Sequence, residues 1–483
     1  MASTLPDPHP APRPTAAEGG TTATGAPGHT AGVETHGIDP VPDSERRGRP
    51  RELFSVWAAA NVNYLSLVVG GALVLTGLNL WQALAVIVVG NLFWLLTGLL
   101  AVPGPVAGAP SEVVTRALYG VRGNRVNNAV TGWLISVCYF ALNLAAAATA
   151  AFSLAARTGL PLNTGVKATV VVGIAAVTLA ISVYGHAAIV RLYPPITLVL
   201  TAVFAVLGVA VLRHTDFGHV PGQHPAGTAP WATALSGVAL IASGPLSYTT
   251  SADFSRYLPR GTSPRAVAGW TALGGFVPGV LVCGLGACAA TAVDMGDPQS
   301  SLQRLLPGWF RPVFLLALVL GTIALNALTA YSAGLALQAV GLRIRRSLSV
   351  LVDGAVSVSL TLYALLVSDF LDTVGDVLQL TVLLLGPGTA VYATDIVLRR
   401  NHYDGPALAD ETPGGPFWYT GGVNRSGALA LAAGVTASAL CVDSVYTGPV
   451  AAALGGIDLA LPAGLVVASG TYALLARRTV RAG

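Results

Sequence analysis

ASGPLSYTTSADFSRY (residues 242–257) interrupts a run of apolar residues, and the reading of the whole chain turns on it. Pro245 has no backbone donor and its ring crowds the preceding turn. Gly244 and Pro245 therefore predict a broken helix. The carbonyls freed there lie at a depth where lipid offers no partner. Such backbone persists in a membrane only where protein buries it or a cavity wets it. In secondary transporters, broken spans hold substrate and coupling ion near the midplane. The competing reading is a packing kink, with Ser243 and Ser247 bonded back to carbonyls.

The stretch belongs to an apolar run at 232–255, and eleven others accompany it: 54–78, 80–103, 127–156, 167–185, 191–213, 266–292, 311–341, 349–368, 372–398, 427–446 and 450–476. About 20 apolar residues cross a bilayer core as a helix. The expected architecture is an all-α polytopic membrane protein with 12 transmembrane helices. Composition agrees. Hydrophobic residues make up 53% and charged residues 10%, against about 25% charged in a soluble domain. The 56 glycines suit helices that pack through small residues.

The net charge of +4 is spread between the spans, not gathered in a patch, so it does not point to nucleic acid. With the N-terminus inside, 21 of the 26 Lys and Arg residues fall on the cytoplasmic side. That bias orients the chain. It puts both termini in the cytoplasm and supports an even span count; the expected location is the plasma membrane. Residues 1–50 read as a disordered cytoplasmic tail, because Pro, Thr, Gly and Ala there bury too little surface to offset ordering. They lack the apolar centre of a signal peptide. Residues 51–483 are expected to form one membrane domain, a transporter if the broken span holds cargo.

Cys138, Cys283, Cys288 and Cys441 all lie in apolar segments and read as small hydrophobes. His214, His219 and His224 share one outside loop and read as solvated. No metal site and no cofactor is expected. HExxH, Gly-x-Ser-x-Gly and a Cys–His pairing are absent, so an enzyme is not expected. A channel or a non-transporting sensor is a rival that saturable, gradient-driven uptake excludes.

Polar residues inside spans need a reason. Asn61, Asn63 and Ser66 lie in WAAANVNYLSLVVGG (57–71), and Asn143 lies in CYFALNLAAAA (138–148). Ser243, Gly244 and Ser247 flank the break, Asn326 is in the eighth span, and Gln379 is in the tenth. Each amide either bonds between helices or touches substrate. Amides carry donors and acceptors, which suits a nucleobase edge. Tyr139, one turn before Asn143, offers a stacking face. Asp253 and Arg256 are spaced to pair on one helix face. Asp353, Asp376, Asp395 and Asp443 lie near span ends and read mainly as interfacial, with a proton-carrying role open.

With these residues in view, the chain resembles the nucleobase:cation symporter family, in its cytosine and purine-cytosine permease branch. The similar segments are VETHGIDPVPDSERRGRPRELFSVWAAAN (33–61), LTGLNLWQALAVIVVGN (75–91), GAPSEVVTRALYGVRGN (108–124), ADFSRY (252–257), NALTAYSAGL (326–335) and YTGGVN (419–424). The resemblance implies a LeuT-like fold of two inverted five-helix repeats, about 54–213 and 232–398, plus two extra helices at about 427–476. It implies inward transport of a nucleobase driven by protons or sodium, through alternating access of a four-helix bundle against the rest. By motif position it places substrate at Tyr139, Ser243–Ser247 and Asn326, and a cation near Ala59, Val62, Gly321, Ala324 and Leu325.

Two departures bear on cargo and ion. The family's Gly-Trp pair is Cys138-Tyr139 here, which implies a differently shaped pocket from that of a cytosine carrier. Ala324 and Leu325 stand where sodium-coupled relatives offer hydroxyls. Hard cations want oxygen ligands, so proton coupling is favoured over sodium. A same-fold permease for allantoin, hydantoin or thiamine is the alternative. The expected partners are a small-molecule substrate and the lipid bilayer, with the protein a monomer or weak oligomer.

Overall fold

A computed structural model describes residues 33–220, 230–366, 370–444 and 446–480, with backbone alone over 370–380 and 478–480. The helices are α1 (Glu52–Asn61), α2 (Tyr64–Leu75), α3 (Leu80–Ala107), α4 (Arg116–Arg157), α5 (Thr164–Tyr184), α6 (His186–Leu212), α7 (Pro230–Leu246), α8 (Ala252–Ser255), α9 (Pro264–Ala290), α10 (Arg311–Ala339), α11 (Arg346–Leu366), α12 (Phe370–Leu398), α13 (Arg425–Cys441) and α14 (Ala460–Val480). Among the described residues nine helices are long and apolar enough to span a bilayer, or ten if the bent pair α1/α2 is one span. Reaching the expected twelve requires counting α7/α8 and α13 as well. Each contains a helix of 17 residues, at the short end of what crosses.

The outer surface fits lipid. Leu198, Val466 and Leu474 are 72%, 71% and 74% exposed, as only an apolar solvent tolerates in such numbers. Inside, α1/α2, α3, α7/α8 and α9 pack on one another, and α4, α5, α10 and α11 form a second group. α6 leans on both, touching α1, α9, α10 and α5. α13 and α14 pack together and against α12.

Small residues allow the closest approach. A Cβ at Gly70 would lie 1.9 Å from the Cys283 carbonyl oxygen, and one at Gly286 would lie 2.0 Å from that of Leu67. Only glycine lets α2 and α9 meet backbone to backbone, the means by which membrane helices gain contact.

The first and sixth spans are both broken, and the break expected at Gly244 and Pro245 is displaced. α1 ends at Asn61, and the chain bends 59° before α2. Asn63 is the N-cap of α2, accepting from Ser66 N at 3.0 Å, so the new helix starts with its donors satisfied. In the sixth span helix α7 continues through Gly244 and Pro245 to Leu246, and the unwound segment is 247–251. Pro245 sits in the last turn, so the backbone loosens just beyond it.

Three further expectations are corrected. The disordered tail does not extend over 33–50. Val41 N donates to Gly108 O at 2.8 Å, Gly48 N to Tyr257 O at 3.2 Å, and Arg46 Nη1 to Pro105 O at 3.1 Å, which tie this lead-in to the bundle. Residues 1–32 lie outside the described residues. The last span begins at Ala460, not near 450, because Gly455 (φ 74°) and Gly456 (φ 82°) turn the chain after a short helix at Pro449–Ala453. Asp253 and Arg256 do not bond to each other. Arg256 instead meets Glu34 at 3.1 Å and Tyr331 Oη at 3.0 Å.

Candidate functional site

A cavity of about 120 Å³ lies between the two helix groups, at the level of both breaks. An enclosed space of roughly 150 Å³ holds one benzene ring, so the volume suits one small flat ring. Asn61, Asn63 and Ser66 enter from the first break, and Ser243, Gly244 and Ser247 from the second. Tyr139 and Asn143 come from α4 and Leu325 from α10. A Cβ at Gly244 would meet nothing within 4 Å, so that position faces open space.

α4 is aimed at the cavity by an irregularity. Residues Asn128–Leu134 form a π-helical stretch, a device common at functional sites. Asn128 Nδ2 bonds the Asn124 carbonyl and the Glu112 carbonyl, both at 3.1 Å. Thr131, Ile135, Ser136 and Tyr139 then line the chamber in successive turns.

The polar side chains are partly committed. Asn61 Nδ2 donates to Trp57 O at 2.8 Å and Asn63 Nδ2 to Ala60 O at 2.7 Å. Ser243 Oγ donates to Leu240 O and Ser247 Oγ to Gly244 O, each at 2.6 Å. That is the back-bonding of the kink reading, and it coexists with a lined cavity. Asn143 Nδ2 donates to Asn326 Oδ1 at 3.1 Å. Asn61 Oδ1 and Asn143 Oδ1 accept no hydrogen bond among the described residues, and they remain to meet a ring edge.

Asn326 does not line the cavity. It is 1% exposed and stands behind Asn143, with its Nδ2 donating to Phe140 O at 2.9 Å. Its expected substrate contact is replaced here by a bridge between α10 and α4. The side chain of Gln379 lies outside the described residues, as do those of Asp376 and His224.

The site contains aromatic residues that sequence reasoning missed. Trp94 and Tyr248 both line the cavity and stack at 5.3 Å and 29°, with Trp57 edge-on to Tyr248 at 4.9 Å. Tyr248 lay within the quoted break. Trp94 follows Asn91, the end of a quoted segment, but nothing local marks it as facing inward.

At the proposed cation residues, a Cβ on Gly321 would lie 2.6 Å from Val62 O, which shows how closely the α1 end meets α10. The Ala324 carbonyl already accepts from Tyr193 Oη at 2.6 Å, and the Leu325 carbonyl accepts from Thr329 Oγ1 at 3.2 Å. Among the described residues no group of three His, Cys, Asp or Glu side chains is placed to hold a metal ion.

A family profile described as a permease for cytosine/purines, uracil, thiamine, allantoin matches residues 40–464. A curated relative from Bacillus subtilis (strain 168), the putative purine-cytosine permease YxlA, is 26% identical over 455 residues, covering 92% of this chain and 96% of its own. Among solved structures, Mhp1, a nucleobase-cation-symport-1 family transporter closed around bromovinylhydantoin, matches with a TM-score of 0.73 at 19% identity, over 92% of this chain and 95% of its own. A sodium-coupled sialic acid symporter matches with a TM-score of 0.60 at 11% identity, over 91% of each chain. These structural matches show a LeuT-like fold. The chain belongs to the permease family for cytosine, purines, uracil, thiamine and allantoin, and is a multi-pass membrane transporter.

Proposed function

We propose that this permease imports one nucleobase, or a closely related heterocycle, by proton symport across the plasma membrane with both termini in the cytoplasm. The observation that carries the reading is the chamber where two broken spans, the aromatic rings of Tyr139, Trp94 and Tyr248, and the amides of Asn61 and Asn143 converge. Rings stack on a planar base, and amide groups read its edge. The chamber lies between two packed helix groups, so rocking one against the other opens it to either side.

Proton coupling is favoured over sodium. Residues 324 and 325 supply no side-chain oxygen, and the Ala324 carbonyl is engaged by Tyr193. A hard cation there would find few oxygens. The relative named as a putative purine-cytosine permease supports a base as cargo. Hydantoin-like, allantoin and thiamine cargoes form the second reading, favoured by the Mhp1 ligand and the breadth of the family.

The test is uptake of labelled cytosine, adenine and uracil into proteoliposomes with an imposed proton or sodium gradient, with unlabelled allantoin, hydantoin and thiamine as competitors. Accumulation of a base under the proton gradient supports the reading. Accumulation of none under either gradient overturns the cargo, and accumulation under sodium alone overturns the ion.

A further inference from the structure

Two buried carboxyl groups face each other beside the chamber. Asp253, on α8, accepts from Ser111 N at 2.9 Å and from Ser332 Oγ at 2.7 Å. Glu112 follows Ser111 on a short helix, Ser111–Val114, between α3 and α4. Asp253 is 0% exposed and Glu112 2%. Neither Glu112 carboxyl oxygen meets a protein hydrogen-bond donor, and the group beside it is the Asp253 carboxyl. Tyr392 Oη, from α12, is likewise buried and unpartnered.

Glu112 and Tyr392 line a small cavity of about 30 Å³, enough to admit water. Thr131, Thr249 and Thr250 line both this cavity and the substrate chamber. Ser332, which bonds Asp253, also lines the chamber. Gln338, six residues along α10, lines a vestibule of about 1000 Å³ together with Arg116. At 1.5 Å per residue the separation along the helix is about 9 Å.

Ionised carboxylates are acceptors only. Two of them side by side in a dry site bond only when one carries a proton, and like charges so close do not both ionise. The charged and titratable neighbours are few. Arg256 lies one turn from Asp253 but spends its guanidinium on Glu34, Tyr331 and the Gly37 carbonyl. Among the described residues, Tyr392 of α12 and Asn128 of α4 line the small cavity with Glu112, Asn124 of α4 bonds the Glu112 backbone carbonyl, and Ser332 of α10 bonds Asp253. Burial, then the Asp253 charge, pushes the Glu112 carboxyl well above the usual carboxylate range.

We infer that Glu112 and Asp253 form the proton-binding site of the transport cycle, sharing one exchangeable proton between the substrate chamber and the vestibule. The inference rests on the proton-symport reading. Asp253 keeps its negative charge, held by Ser111 N and Ser332 Oγ. Glu112 takes a proton from water reaching it past Thr131, Thr249 and Thr250, and gives it to vestibule water when the inner side opens. One proton bound is one proton released, with no bond to substrate. Coupling arises because Asp253 lies just after the unwound segment 247–251, so cargo at Ser247 and Tyr248 bears on the helix that carries it. Asp353, a third buried carboxyl, lines neither the chamber, the small cavity nor the vestibule.

The experiment uses full-length protein in proteoliposomes and the base that wild type accumulates. Glu112→Gln should keep exchange of internal for external base within a few-fold, lose proton-driven accumulation down to the equilibrium level, and lose base-induced proton entry. Asp353→Asn should keep all three. Proton-driven accumulation at the wild-type level in Glu112→Gln, or its loss in Asp353→Asn alone, overturns the assignment. If Glu112→Gln does not fold, Glu112→Asp serves: its pH of half-maximal accumulation should shift, and an unshifted profile overturns the site. Wild type driven by sodium and indifferent to protons sinks the parent reading, which is a different result from proton-driven wild type with an unaltered Glu112→Gln.

Discussion

Asn143 and Asn326 are joined side chain to side chain, Nδ2 to Oδ1 at 3.1 Å, and only Asn143 reaches the chamber. Asn326 holds it there from behind while its own Nδ2 grips the Phe140 carbonyl at 2.9 Å. Removing one partner of a buried hydrogen bond costs about 1–3 kcal/mol. Asn326→Ala is therefore expected to weaken substrate binding about tenfold or more, with membrane expression retained. Asn143→Ala should do the same, and the double variant should cost less than the two single losses summed. Additive losses in the uptake KM would show that the bridge does not act as a unit.

Tyr139 is expected to contribute its ring. Tyr139→Ala should abolish measurable uptake, and Tyr139→Phe should stay within a few-fold of wild type. A stacking contact is worth about 0.5–1.5 kcal/mol beyond the area it buries. Equal uptake by Tyr139→Ala and wild type would place the cargo elsewhere.

Glu34 fastens the lead-in to the helix ends. Its carboxylate meets Arg256 at 3.1 Å and Arg346 at 3.5 Å, and accepts from Tyr331 Oη at 3.0 Å, from His186 N at 2.7 Å and from Tyr257 Oη. Burial raises the carboxyl, but Arg346 and Arg256 pull it back, and it ends below its ordinary value. A depressed folded pKa contributes stability that is present above the ordinary carboxylate value and lost as pH falls through the lowered one. Amide protection over 33–50, corrected for the intrinsic exchange rate at each pH, should therefore fall on acidification, and in Glu34→Gln already at neutral pH. Unchanged protection in both would remove the latch.

Gly286 and Gly70 should not tolerate a methyl group. The atoms in the way are backbone carbonyls, 2.0 and 1.9 Å from the added carbon, and they have no rotamer to yield. Overpacking costs typically about 1–3 kcal/mol. Gly286→Ala should lower the melting temperature of detergent-solubilised protein, whereas Gly269→Ala, with open space around it, should not.

Much of the site was legible because it is local in the chain. Asn61, Asn63 and Ser66 stand beside a break, and Ser243, Gly244 and Ser247 beside another, so any fold that joins the breaks gathers them. Tyr139 and Asn143 share a helix face one turn apart. Asn326 looked equivalent to Asn143, yet α10 turns it toward α4. Glu112 passed unnoticed as one acidic residue between spans. Its meaning comes from Asp253, far away in sequence.

The chain by itself determined that the protein crosses a membrane many times and interrupts its sixth span just past Gly244 and Pro245. Apolar run length, Pro and Gly act within a few residues of themselves, so they can be read one segment at a time. Only the tertiary structure decided which amides face the chamber, that Trp94 and Tyr248 complete its aromatic wall, that 33–50 is clamped by Glu34, and that two carboxyls share one dry site. A polar side chain in lipid must find its partner on another helix, and which helix stands opposite is a property of packing, not of any single segment.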